Sequence, residues 1–369
     1  MAYLKLYRNK LKHNHQYLQD LFLSNAIEWG VVSKLLCGNE LFLKELVRLG
    51  VSEFHDTRIS NLKTIKEIIP TAQTVYIKPP AKRQIPSVIK YADVSFNTDF
   101  TTIQALSAEA VLQKATHKVI IMVEMGDLRE GVMGEQIVEF YQKIFQLPNI
   151  DIVGLGTNLN CLNAVMPSQD KLIQLSLYKQ LIETKFDVHI PWISGGTSVT
   201  VPLLLNRQLP KQVNHFRVGE FLFFGLDLFT NKTINGMYDD VFRLYAQIIE
   251  LYEKPKVPIG EQGFNVSGDT PVYSADDYGK LSFRAILDVG LLDCNPRYLI
   301  ADDENIDIIE ASSDMLVIEL HQNEKGYAVG DMISFKLKYM GVLGIMNSNY
   351  IDKVVSEEKT ELQPLAVSV

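Results

Sequence analysis

Near the start of the chain a single lysine closes an apolar run. The stretch "GVVSKLLCGN" (30–39) places Lys34 after Gly-Val-Val-Ser and shortly before a Gly-Asn break. A lysine there is either a surface charge or an amine whose desolvation lowers its pKa and makes it a nucleophile. Further on, "SGGTS" (194–198) brings two glycines and three hydroxyls, and "RVGE" (217–220) brings a second glycine turn. Backbone N–H groups at such turns bind anions, although ordinary tight turns share the composition. An amine facing a phosphate cradle suits pyridoxal phosphate, whose aldehyde needs an amine for a Schiff base and whose phosphate needs an anchor. A sugar-phosphate aldolase or isomerase with a barrel lysine fits the same residues. Other polar groups gather in similar places: Asp56 and Arg58 in "HDTR", Asp127 and Arg129 in "EMGDLREG", and Thr157 and Asn158 in "GTNLN".

The elements that must position them alternate between periods of two and of 3.6 residues. Candidate strands are 28–35, 51–56, 74–78, 92–97, 118–125, 151–157, 189–194 and 214–219. Between them, "NELFLKELVRLG" and "TRISNLKTIKEIIP" have helical spacing, with Gly50 and Pro70 as stops, and longer helices are expected over 99–115, 130–147 and 168–186. Eight strands with mostly helical connections predict an α/β fold, a (β/α)8 TIM-type barrel. Each polar group named above then falls at the C-terminal end of a strand, where such barrels place their chemistry. An open doubly wound sheet has the same alternation. The prolines and glycine of "LYEKPKVPIG" (251–260) break the pattern. The later runs "KLSFRAILDVGL", "IDIIEASSDMLVIEL" and "DMISFKLKYMGVLGIM" read as β. The expected division is a barrel over 1–235 and a C-terminal all-β domain over 236–369, with the first strand, 2–8, pairing into the β domain. The tail "SEEKTELQPLAVSV" is expected to be loosely held.

The 369 residues are 47% hydrophobic and 22% charged, with a net charge of −8. An acidic chain is a poor nucleic-acid binder and gains nothing from an anionic membrane surface. The N-terminus mixes charges among its apolar residues, unlike a signal peptide, and no window has the apolar length of a membrane span. Three widely spaced cysteines make no metal or disulfide pattern, and His13 and His15 have the wrong spacing for a helical metal pair. A cytoplasmic protein is expected. Trp192 and "FLFFG" (221–225) read as barrel core.

The motifs "VVSKLLCGN", "EMGDLREGV", "GLGTNLNC", "WISGGTS" and "FRVGEFLFFG" resemble the alanine-racemase-like barrel enzymes that use pyridoxal phosphate (fold type III), in the branch of amino-acid racemases that includes ornithine racemase. "RAILDVGLLDCNP" and "EASSDMLVIEL" resemble that branch's β domain. The resemblance implies that Lys34 carries the cofactor and serves as one acid/base on Cα. It implies a phosphate held by Ser194, Gly196 and Thr197 together with the N–H groups of Gly219 and Glu220. Arg217 would face the pyridine nitrogen, and Asn158 would stand against the ring. Arg129 would lie near the substrate carboxylate or a partner's loop.

A guanidinium that keeps its charge cannot yield a proton to the ring. The cofactor is then a weaker electron sink, which favours racemisation over decarboxylation. Members of the family form head-to-tail homodimers in which one β domain completes the other's site. The opposite face of Cα needs a second acid/base. Relatives use a tyrosine where this chain has Leu291, and Asp293 and Cys294 are nearby candidates. Ser313 and Asp314 match positions near the substrate carboxylate. Asp127 is a candidate for the distal ammonium of ornithine or lysine, or else a partner of Arg129 or a helix cap. The expected function is racemisation of a free, basic amino acid. A pyridoxal-phosphate-dependent decarboxylase or lyase, a non-catalytic pyridoxal phosphate carrier and a cofactor-free barrel enzyme are the alternatives.

Overall fold

Each β-branched run between residues 28 and 218 forms a short parallel strand in the computed structural model, which describes residues 2–264, 268 and 270–356. After β1 (Tyr3–Tyr7) and α1 (Arg8–Ser24) come β2 (Glu28–Val32), β3 (Glu53–Asp56), β4 (Gln73–Tyr76), β5 (Val94–Asn97), β6 (His117–Met122), β7 (Ile150–Gly156), β8 (Trp192–Ser194), β9 (Gly196–Thr197) and β10 (His215–Val218). The hydrogen-bonded order is β8-β7-β6-β5-β4-β3-β2-β10-β9. The ends of that path, β8 and β9, are one chain segment interrupted at Gly195. Its first half pairs with β7 and its second with β10, so the ring closes through a single residue. This is the (β/α)8 barrel expected from the alternation. Its interior packs Val75, Val94, Phe96, Ile120, Met122 and Val153, with Ile77 and Trp192 against them. Each fully buried side chain of this kind contributes roughly 1.5–3 kcal/mol.

The outer layer is α2 (Glu40–Arg48), α3 (Ile59–Ile68), α4 (Ile85–Tyr91), α5 (Phe100–Leu112), α6 (Ile137–Ile144) and α7 (Gln169–Phe186), with short α8 (Val201–Leu205) and α9 (Glu220–Phe224). Side chains cap the starts of α2, α5 and α7. Asn39 accepts from Phe42 N at 3.1 Å and Asp99 from Thr102 N at 2.7 Å, each cap being worth about 1 kcal/mol. The aromatics Phe221, Phe223 and Phe224 are buried, as expected of core. The helix expected over 130–147 is shorter, because Gly126 and Gly131 hold positive φ and keep the preceding segment a loop.

Residues 9–239 form this unit, and residues 2–8 with 240–356 form the other. In the latter, β13 (Phe242–Pro255), β14 (Leu281–Leu287), β15 (Leu299–Ala301), β16 (Asp307–Ala311), β17 (Leu316–His321) and β18 (Met332–Leu337) pair in the order β15-β18-β13-β14-β17-β16. β1 joins β13 antiparallel and β19 (Asp352–Ser356) parallel. A small hairpin, β11 (Leu226–Asp227) and β12 (Lys232–Thr233), stays with the barrel unit. The second unit is not purely β. "YMGVLGIM", expected to continue a strand, is helix α10 (Tyr339–Asn347). Gly341, Val342, Ile345 and Met346 are its buried residues, a spacing of one, three and four that only a helix turns to one side. The segment 357–369, including most of the tail expected to be loose, lies outside the described residues. No described helix is long and apolar enough to cross a membrane.

Candidate active site

Lys34 sits just beyond the barrel rather than within its first strand. β2 ends at Val32, and the chain tightens into a 3-10 turn over Ser33–Leu36. Leu35 and Leu36 turn inward and are buried, so the apolar run outlasts the strand, while Lys34 is exposed. This corrects the expected desolvation of the amine: burial falls on its neighbours. The turn is fixed from below. Ser33 Oγ donates to Asp56 Oδ2 at 2.9 Å and lies 3.2 Å from the His55 carbonyl. Asp56 Oδ1 accepts from Arg58 N and Asn61 Nδ2. Burial pushes the Asp56 carboxyl above its ordinary range, against the pull of these donors.

One glycine turn lies beside this end of β2, and the other lies one strand further on, against β10. β10 runs parallel to β2, with Arg217 opposite Gly30 and Val218 opposite Val31. A Cβ on Gly219 would come within 3.0 Å of Val32 Cβ and Val32 O, so glycine is what lets the turn approach β2. Burial pushes the Glu220 carboxyl up, and the Lys34 ammonium pulls against it. At the other turn, Ser198 Oγ accepts from Gly219 N at 3.4 Å and Phe221 N at 3.2 Å. These are long bonds that a phosphate oxygen can replace. A Cβ on Gly196 would meet the Phe216 ring at 2.1 Å. Thr197 is half-buried, and its N–H reaches Thr200 Oγ1 at 3.3 Å. One glycine turn pressed on β2, a second on β10 and an exposed lysine fit a phosphate ester carrying an aldehyde.

Ser194 does not belong to that cradle. It is fully buried, and its Oγ lies 2.6 Å from His215 Nδ1 and 2.7 Å from Arg217 Nη1. The expected phosphate contact is therefore corrected to an arginine anchor. Ser198 takes its place among the hydroxyls of the turn.

Arg217 is buried inside the barrel mouth. Nη1 also donates to the Ser194 carbonyl, Nη2 donates to Thr157 O at 2.7 Å, and the guanidinium stands 5.1 Å from the Phe96 ring centroid. Burial lowers its pKa to about 10, so it remains a cation at neutral pH. Behind it, sequence reasoning missed three residues. Glu53 Oε1 lies 2.5 Å from His55 Nε2 and 2.9 Å from His215 Nε2. The signal was period two: Glu53 and His55 share one face of β3, as His215 and Arg217 share one face of β10.

At the ends of β6 and β7, Arg129 is ion-paired with Glu130. With its amide oxygen turned toward the guanidinium, Asn158 accepts from Arg129 Nη1 at 3.1 Å and Nη2 at 2.8 Å. Asp127 is occupied. It is buried; Oδ2 accepts from Cys161 N and Leu162 N, and Oδ1 from Asn163 N and Val165 N. Burial pushes its carboxyl up, but the four N–H groups outweigh that and hold it below its ordinary range. The expected role toward a substrate ammonium is corrected: Asp127 folds the 160–165 loop.

In the second unit, Asp293 and Cys294 are both buried. Asp293 accepts from Ser348 Oγ at 2.6 Å and Gly290 N at 3.3 Å. Burial, with Asp293 adding to it, pushes the Cys294 thiol up to about 12. Asp293 is thus held within its own unit and Cys294 stays a thiol at neutral pH, so the structure singles out neither as the second acid/base. Leu291 is half-buried, with its N–H on Ser312 O. Ser313 and Asp314 are exposed on the turn before β17, and Leu292 N donates to Ser313 O at 3.0 Å.

A family model described as "Alanine racemase, N-terminal domain" matches residues 7–227. The chain is 37% identical to an ornithine racemase of Acetoanaerobium sticklandii, over 94% of this chain and 97% of the relative. It is 29% identical to a lysine racemase of Thermotoga maritima, over 96% and 99%. Among solved structures, alanine racemase from Bartonella henselae with covalently bound pyridoxal phosphate superposes with a TM-score of 0.73 at 14% identity, over 96% of this chain and 99% of that one. At that identity the likeness is one of fold.

Proposed function

Because the chain belongs to the family of the alanine racemase N-terminal domain, we propose that it is a pyridoxal-phosphate-dependent racemase of a free basic amino acid such as ornithine or lysine. The observation that carries this reading is the juxtaposition at one barrel end of Lys34, the Gly219–Glu220 turn packed on Val32, and the buried cation of Arg217. The full-length similarity to an ornithine and a lysine racemase supports the substrate class.

When bound, the cofactor supplies an aldehyde for an amine and a ring that withdraws electrons from Cα. Lys34 Nζ is the amine that holds it and the group that takes or returns the Cα proton on its own face. The N–H groups of Gly196, Thr197, Gly219 and Glu220, with Ser198 Oγ, bind the phosphate. Arg217, charged and held by Ser194 and Thr157, would be the group for the ring nitrogen and would yield it no proton, which would favour proton exchange at Cα over loss of the carboxylate. Asn158 orients Arg129, whose guanidinium is the group for the substrate carboxylate. Assembly as a head-to-tail homodimer rests on the family alone. Three unbridged cysteines, Cys37, Cys161 and Cys294, support a cytoplasmic setting.

The test is hydrogen exchange in D2O with pyridoxal phosphate supplied. L-Ornithine or L-lysine is expected to acquire deuterium at Cα with inversion, faster than L-alanine. Carbon dioxide release without inversion, or no exchange on any amino acid, overturns the proposal.

A further inference from the structure

We propose that Glu53 is a positioning residue for Arg217, acting through a directed hydrogen-bond chain Arg217–Ser194–His215–Glu53 inside the barrel. The proposal rests on the racemase reading only for its effect on turnover; the chain itself is a property of the fold.

Donor and acceptor chemistry sets the direction. A guanidinium carries donors only, so Ser194 Oγ accepts from Arg217 Nη1 at 2.7 Å. Among the described residues, the acceptor within reach of the hydroxyl proton is His215 Nδ1, at 2.6 Å, and the proposal directs the proton there. That leaves the ring's proton on Nε2, which donates to Glu53 Oε1 at 2.9 Å. His55 Nε2 donates to the same oxygen at 2.5 Å, and Gln73 Nε2 donates to Oε2 at 2.6 Å. Glu53 thus receives three donors in the barrel interior, and its carboxyl is held ionised: burial opposes the charge, and the two histidines outweigh it. The His215 ring is further fixed by Trp192, stacked at 4.5 Å between centroids and 16° between planes.

Two features show that the cluster is built in. A Cβ on Gly30 would fall 2.3 Å from His55 Nε2 and 2.7 Å from Glu53 Oε1. Glycine at that point of β2, directly opposite Arg217 in register, leaves room for the pair. The acceptors of Arg217 are two carbonyls and one hydroxyl; Glu130 acts on it through space, and Glu53 is the carboxylate joined to it by hydrogen bonds, through Ser194 and His215. The Glu53, His55 and His215 ligand atoms lie within 4.8 Å of one another, close enough to hold a metal ion. A metal needs both Nε2 atoms unprotonated. It would move the His215 proton to Nδ1 and leave the Ser194 proton without this acceptor.

The first experiment needs no variant and no cofactor: long-range proton–nitrogen correlation on the full chain labelled with nitrogen-15 histidine. His215 is expected as the neutral tautomer protonated at Nε2, in the free and the cofactor-loaded protein alike. A proton on Nδ1, a doubly protonated ring, or stoichiometric metal retained after purification overturns the proposal. This result stands or falls whether or not the chain racemises anything. The second uses Glu53→Gln, with folding checked by circular dichroism. It is expected to change the His215 tautomer or nitrogen shifts, to move the absorbance band of bound pyridoxal phosphate, and to lower kcat about tenfold with little change in KM. Glu53→Asp is expected to recover part of kcat. If His215 and the absorbance band are unmoved in Glu53→Gln, the positioning role is overturned. If they move while no amino acid is racemised by the parent protein, the chain survives and the racemase reading falls.

Discussion

The Arg217 guanidinium donates to the Ser194 hydroxyl at 2.7 Å, at a point where Ser194 is fully buried. With its proton also directed to His215 Nδ1 at 2.6 Å, that hydroxyl has no donor left for a phosphate. Ser194→Ala is therefore expected to lower turnover while the Kd for pyridoxal phosphate stays within about twofold, because one hydrogen bond to a charged group is lost at the arginine and none at the cradle. Ser198→Ala is expected to weaken cofactor binding by about tenfold, or ~1.4 kcal/mol. Fluorescence titration of both variants checks the assignment, and the reverse pattern would return Ser194 to the phosphate site.

Lys34 stands exposed on a turn clamped by Ser33 and Asp56. Lys34→Ala is expected to lose the yellow colour of the loaded enzyme and to slow racemisation on the order of 10³-fold or more. Borohydride treatment of the parent protein, followed by peptide mass analysis, should place the reduced adduct on residue 34 alone.

Asp127 holds four backbone N–H groups of the loop that follows β7. Asp127→Asn is expected to cost about 1.5–3 kcal/mol of stability, read as a fall in Tm, with the preference for diamino over apolar amino acids unchanged. The folded carboxyl lies below its ordinary range. Its contribution is therefore complete above the unfolded pKa of about 4 and is lost as pH falls through the lower folded value. The parent's stability advantage over Asp127→Asn should shrink as the solution is acidified below about pH 4. A constant gap down to the lowest pH measured contradicts the assignment.

Cys161 is exposed, whereas Cys294 is buried with its thiol pushed up to about 12. Because the thiolate is the reactive form, iodoacetamide at neutral pH should label Cys161 and spare Cys294 in the folded protein. Cys294→Ala should retain racemisation. Rapid alkylation of Cys294, or loss of turnover in a folded Cys294→Ala protein, would restore it as a proton carrier.

The barrel was legible because its strands and helices differ in period and because glycine and proline mark their ends. Gly50 and Pro70 stop helices within two residues of where they were read. Run length misled where apolar residues continue past a strand: Leu35 and Leu36 are buried in a turn, which made β2 look longer and Lys34 look buried. The "YMGVLGIM" stretch misled because its residues are apolar nearly all round, which hides the period. Lys34, Arg217 and the two glycine turns could be read from position at strand ends. Ser194, Asp127, Asp293 and Cys294 could not, since their partners come from distant segments and decide whether a polar group is free or already satisfied. Glu53 and His215 begin β3 and β10, with His55 beside them, away from the C-terminal ends where chemistry was sought, and only the alternation in "EFHD" and "HFRV" pointed to a shared interior.

The junction at Gly195 has a consequence for the protein's solubility. A sheet whose two ends are successive residues of one segment presents no open edge onto which another chain could add a strand. That protection depends on three residues, since a shift in 194–196 that detached β8 from β7 or β9 from β10 would expose unpaired backbone on both sides of the gap. Ser194 lies at that seam and also carries the Arg217 contact, so damage there should appear as aggregation as well as lost turnover.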